Sequence, residues 1–93
     1  MFIYISGRIS GTTDFFARFK AAEEKLVKMG YAPLNPVLNE PMGETWEYYM
    51  RSDIKKLMEC NAIYMLKGWW KSRGARLEWL IARSLKFKVI YER

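Results

Sequence analysis

Residues Phe2–Thr13, FIYISGRISGTT, decide the fold. Phe2–Ser6 is an uncharged run of aromatic and β-branched residues that stops at Gly7, the pattern of a buried strand. Gly7–Thr13 is then a loop with two glycines, and Thr12, Thr13 and Asp14 are candidate caps for a helix behind it. The opening unit is therefore strand, glycine loop, helix.

The rest of the chain repeats that unit. From about Asp14 to Met29, the residues Phe15, Phe19, Ala22, Leu26 and Met29 recur at three- and four-residue steps, which predicts an amphipathic helix that Gly30 stops. Tyr31–Asn35 predicts a second strand, at a sheet edge because Pro33 has no N–H for a ladder. Asn35–Gly43 carries two prolines and predicts a loop, after which Thr45 caps a second helix running to about Glu59. Ala62–Leu66 predicts a third strand, Lys67–Arg73 a loop, Gly74–Lys86 a third helix and Phe87–Tyr91 a last strand. No repeat or linker interrupts the order, so residues 1–93 read as one α/β domain, a parallel sheet with helices on its faces. Ligands of such sheets bind beyond the carboxyl ends of the strands, where the strand order reverses. That edge carries Gly7–Thr13, Asn35–Gly43 and Lys67–Gly74.

Composition removes several classes of function. The chain has 93 residues, 51% hydrophobic and 16% aromatic, enough for a single core and too apolar for a disordered segment. With no His and only Cys60, it holds neither a zinc site nor a disulfide framework, and His-based acid/base or triad catalysis is excluded. No apolar run is long enough to span a membrane and none follows a basic leader, so a cytoplasmic protein is expected. The charge is +6, which attracts polyanions or phosphorylated ligands. Lys and Arg are nevertheless scattered without a run, so a solvated basic surface accounts for them as well as a phosphate site does. A nucleic-acid-binding domain ranks lower for the same reason.

Two acids sit in the wrong place. On the second helix Trp46, Tyr49, Met50, Ile54 and Leu57 form one stripe at about 100° per residue, and Asp53 falls in its middle. On the third helix Leu77, Ile81, Ser84 and Leu85 form the stripe, and Glu78 lies within it. An ionised carboxylate buried without partners costs several kcal/mol. A structural role, as a cap or the partner of a buried Arg, serves Glu78 near a helix N-terminus but not Asp53 in mid-helix. The alternative is a pair of carboxylates turned into a cleft, where environment sets an acid and a nucleophile apart. Without His or metal, cleavage at a sugar anomeric carbon is the reaction that two carboxylates run unaided.

Three blocks of the chain resemble the nucleoside 2-deoxyribosyltransferase superfamily, within it most closely a branch of short domains related to deoxynucleoside monophosphate N-glycosidases. They are Phe2–Gly11 (FIYISGRISG), Met50–Ala62 (MRSDIKKLMECNA) and Ser72–Ala82 (SRGARLEWLIA), the last being the most specific. The resemblance implies a small Rossmann-like (flavodoxin-like) three-layer sandwich of about four parallel strands and three helices, with no cofactor and no metal. It implies Glu78 as the nucleophile at C1′, Asp53 as the acid assisting departure of the base, and Tyr4 as the hydroxyl that orients the nucleophile. Gly7 and Gly11 would let the loop backbone approach the ligand, with Arg8 and Ile9 beside the base or phosphate. Ser72, Arg73 and the amide of Gly74 would suit a phosphate. From their place in the loop after the third strand, Trp69 and Trp70 could stack on a base, and could equally cover the sheet edge or pack against a second subunit. The family usually has Asp where this chain has Asn61, and longer members continue beyond the fourth strand; the latter favours hydrolysis over transfer to an acceptor base, and both departures favour binding without cleavage.

The expected substrate is a 2′-deoxynucleoside monophosphate. The alternative is a protein that binds a nucleotide or nucleotide signal in the same pocket without cleaving it. Trp79 falls on the polar side of the third helix, where a monomer would leave it wet, so a homodimer is expected as well.

Overall fold

The computed structural model describes residues 1–38 and 40–93. The chain runs β1 (Phe2–Ser6), α1 (Phe15–Lys28), β2 (Ala32–Leu34), α2 (Trp46–Met58), β3 (Ala62–Met65), a 3-10 turn (Trp69–Lys71), α3 (Arg73–Ser84) and β4 (Lys88–Tyr91). The predicted loop at 35–43 includes Asn39, which lies outside the described residues.

Local chemistry explains most of the boundaries. Thr45 caps α2 as its side chain accepts from the Tyr48 amide, and Ser72 caps α3 in the same way through the Ala75 amide. The start of α1 differs from expectation. Asp14 holds the N-cap position without a side-chain bond, while the Thr12 hydroxyl donates to the Ile9 carbonyl and closes the preceding loop instead.

The sheet is four-stranded and parallel throughout, in the order β2-β1-β3-β4. Pro33 does lie on an edge strand, opposite Ile3. In the central pair Ile3, Tyr4, Ile5 and Ser6 face Ala62, Ile63, Tyr64 and Met65 in register. The chain leaves β1 towards one edge and returns to build the other, so the switch point lies beyond the carboxyl ends of β1 and β3.

Period-two alternation distributes the core between two layers. Ile3, Ile5, Ala62, Tyr64 and Leu66 pack under Phe19, Ala22 and Leu26 of α1. Tyr4, Ile63 and Met65 pack on the other face with Leu57 of α2 and with Ala75 and Ala82 of α3. Each large apolar side chain fully buried in this way contributes about 1.5–3 kcal/mol.

The buried seam of α3 departs from the predicted stripe. Ala75, Glu78 and Ala82 face the sheet, Leu77 and Ile81 are only half-buried, and Ser84 and Leu85 are exposed. Small side chains at the seam let the helix lie close on β1 and β3, whereas a wheel weighted by large apolar residues places the seam one position away. Glu78 is thereby more centrally buried than the sequence pattern indicates. Among the described residues no helix is long and apolar enough to cross a membrane.

Candidate active site

The alternation that sends Ile3 and Ile5 towards α1 turns Tyr4 and Ser6 towards α3. There the Tyr4 hydroxyl donates to Glu78 Oε2 and the Ser6 hydroxyl to Glu78 Oε1, both at 2.7 Å. The Glu78 side chain thus leaves its helix, reaches the sheet and has a donor on each oxygen. The residue is 4% exposed. Burial raises its pKa to about 7 against the lowering effect of the Tyr4 and Ser6 hydrogen bonds, with a smaller push upwards from the Glu40 charge. Tyr4 itself is held well above its ordinary value by burial and then by the Glu78 charge, so it stays a donor.

Glu78 lines a cavity of about 460 Å³ at the switch point, together with Asp53 from α2 and Glu40 from the loop after β2. Burial holds the Asp53 carboxyl far above the usual range. The neighbouring Glu40 carboxyl and the charge of Glu78 add to this, and Lys56 opposes it. Lys56 Nζ lies 3.8 Å from Asp53 Oδ1 and 3.9 Å from Glu40 Oε1. Neither of those buried oxygens has a hydrogen-bond partner among the described residues. Ile9, Phe15, Trp46 and Met50 supply apolar walls, and among the described residues no Lys or Arg lines the cavity.

Of the residues singled out in the sequence, Gly7, Ile9, Asp53, Ser72, Gly74 and Glu78 line this cavity, and Tyr4 bonds the carboxylate beneath it. A Cβ at Gly7 would lie 2.8 Å from Leu66 Cβ, so glycine lets the loop turn tightly over β3. Four others stand elsewhere. Arg8 faces a second hollow across the loop, and Gly11, at φ +78°, lies against the Arg8 guanidinium. Arg73 stacks over the Trp46 ring at 3.7 Å rather than entering the cavity. Trp69 turns away and stacks on Trp79, with ring centroids 5.2 Å apart.

That stacking also corrects the reading of Trp79. It is half-buried between Trp69 and Arg83, and its indole N–H donates to the Tyr91 hydroxyl at 2.9 Å, so it is not left wet. Asn61 precedes β3 at the amino edge of the sheet, exposed and opposite to the cavity, so it does not touch the carboxylates.

Two site residues escaped the sequence reading. Ser6 carried a signal, since a residue two beyond Tyr4 in a strand shares its face. Glu40 carried none, because an aperiodic loop gives no face on which to place it. Among the described residues no cluster of three His, Cys, Asp or Glu is arranged to hold a metal ion.

Comparison with known proteins agrees with this architecture. The model of the family described as a domain of unknown function, DUF4406, matches residues 1–91. No curated protein matches the chain. Among solved structures, a 2-deoxyribosyltransferase from the psychrotolerant bacterium Bacillus psychrosaccharolyticus superposes with a TM-score of 0.75, covering 98% of this chain and 71% of that one at 16% identity. The likeness is one of fold.

Proposed function

The chain belongs to the DUF4406 family, and we propose that it is an N-glycosidase that cleaves the base–sugar bond of 2′-deoxynucleotides. The observation that carries this reading is the Glu78 carboxyl, held on both oxygens by Tyr4 and Ser6 in a cavity it shares with Asp53. The fold shared with a 2-deoxyribosyltransferase supports it.

In this reading a Glu78 oxygen attacks C1′ as the C1′–N bond breaks through an oxocarbenium-like transition state. The departing base takes its proton from Asp53, which burial and Glu40 keep protonated. The ionised Asp53 then takes a proton from water, whose oxygen attacks C1′ and releases Glu78. The products are the free base and 2-deoxyribose 5-phosphate, whose C1 hydroxyl carries the water oxygen. The two carboxyls divide their roles by environment: Glu78 ionises first, because two hydroxyls stabilise its charge, and Asp53 later.

The test is incubation with the four 2′-deoxynucleoside monophosphates and chromatography for free base, with Glu78→Gln alongside. Base release by the native protein that disappears in the variant is expected. Ligands that raise the melting temperature without any base release would replace the enzyme with a nucleotide-binding protein.

A further inference from the structure

The positive charge that is scattered in the sequence is gathered by the fold. Arg8, Arg18, Lys67, Lys71 and Arg93 come from the β1–α1 loop, α1, the segment after β3 and the end of the chain, and all line one hollow of about 550 Å³. Asp14 and Glu92 are the acids on its wall, and Glu92 is committed to the Lys67 amide at 2.7 Å. None of the five cations forms an ion pair with a described acid. Like charges converge at a cost unless an anion joins them.

The hollow is also organised. Arg18 Nη2 donates to the Lys67 carbonyl at 2.7 Å, and Arg8 Nε to the Ser10 carbonyl at 3.1 Å. Each bond fixes a guanidinium and leaves other N–H groups of its fork unspent, which suits phosphate oxygens. Gly11 completes the arrangement, since a Cβ there would meet Arg8 Nη2 at 2.9 Å. Trp70 lines the same hollow, is 54% exposed, and offers a ring for stacking.

The geometry points to a second ligand site: this hollow binds the phosphate chain of a nucleotide, whose base stacks on Trp70. It lies across the β1–α1 loop from the carboxylate cavity, with Arg8 and Thr12 turned to one side and Gly7, Ile9 and Ser10 to the other. Its lining excludes Glu78 and Asp53, so it stands whether or not those residues cleave a glycosidic bond.

Calorimetric titration with pyrophosphate and with a deoxynucleoside triphosphate, at low and at physiological salt, tests the assignment on the native chain, Arg18→Ala/Lys71→Ala and Trp70→Ala. The expected result is saturable binding of both ligands, tighter for the nucleotide and weaker as salt rises. The double variant should lose at least tenfold for both, and Trp70→Ala should lose only the nucleotide's advantage. Equal affinity for the two ligands would overturn the nucleotide assignment. Unchanged binding by the double variant, or no binding at low salt, would overturn the site itself. Pyrophosphate has no glycosidic bond and Arg18, Trp70 and Lys71 lie outside the carboxylate cavity, so this titration and the base-release assay fail independently of each other.

Discussion

Tyr4 and Glu78 are 74 positions apart in the chain, yet the hydroxyl of one is 2.7 Å from a carboxylate oxygen of the other. The contact ties the first strand to the last helix at the point where the strand order reverses. Removing it with Tyr4→Phe leaves the ring in the core and takes away a bond that lowers the Glu78 pKa. A hydrogen bond to a charged group contributes about 1.5–3 kcal/mol, so base release at neutral pH should fall by about 10- to 100-fold. The acid limb of the pH profile should move upwards, and an unmoved limb would show that Tyr4 serves packing alone.

The pH dependence of activity follows from the order in which the two carboxyls ionise. Base release should rise with pH through about 7, as Glu78 gains its charge, and fall again at higher pH as Asp53 loses its proton. Asp53→Asn should slow base release and remove the alkaline limb. A native profile with no acid limb would exclude Glu78 as the group that must be ionised.

Stability should move against activity. Both acids have folded-state pKa values above their ordinary ones, 4.5 for Glu78 and 3.8 for Asp53, so the folded state holds protons that the unfolded state has lost. Their contribution is complete below those ordinary values and is lost as pH rises, through about 7 for Glu78 and further up for Asp53. The native chain should therefore melt at a higher temperature near pH 5 than near pH 8, and Asp53→Asn should flatten the slope. Scanning calorimetry at the two pH values decides it, and a native chain more stable at pH 8 would reverse the assignment.

Ser72 separates a cap from a ligand contact. Its hydroxyl accepts from the Ala75 amide at 3.2 Å, so Ser72→Ala should cost about 1 kcal/mol of stability, and Ser72→Asp, an equally good cap, should restore it. Native-like melting of Ser72→Ala together with a raised KM would instead make the hydroxyl a substrate contact.

Gly7 is confined by the neighbouring strand end. In Gly7→Ala the new methyl would lie 2.8 Å from Leu66 Cβ and Cδ1, and overpacking of this kind typically costs about 1–3 kcal/mol. At about 4–8 °C per kcal/mol for a chain of this size, thermal melting resolves the loss. At Gly74 the corresponding methyl meets Met50 Sδ at 2.9 Å, the flexible end of a side chain, so Gly74→Ala should cost less.

Much of the architecture was legible because it is periodic. The apolar strand Phe2–Ser6, the stripe Phe19–Ala22–Leu26 and the edge position of Pro33 each follow from one local rule, and the parallel order follows from their succession. The buried acids were legible as exceptions to the same periodicity. What escaped had no period. Glu40 lies in a loop, and the pairing of Trp69 with Trp79 depends on how a 3-10 turn folds back on α3. The α3 seam was misplaced because alanines, which bury little area, mark a close approach to the sheet better than leucines do.

The central position of β1 has a consequence for how the chain is made. As residues emerge in order, the apolar strand Phe2–Ser6 precedes both of its neighbours, and its longer ladder, to β3, waits until Ala62–Met65 exists. Closing so distant a pairing loses chain entropy before any contact repays it, which makes parallel central strands slow to form. Until then α1 is the element near enough in sequence to cover Ile3 and Ile5, one face of the strand. The other face, with Tyr4 and Ser6, is covered only in part, by Leu57 of α2, until α3 brings Glu78. The carboxylate site is thus among the last parts of the molecule to assemble on the ribosome, and a nascent chain halted before α3 would expose that face to chaperones.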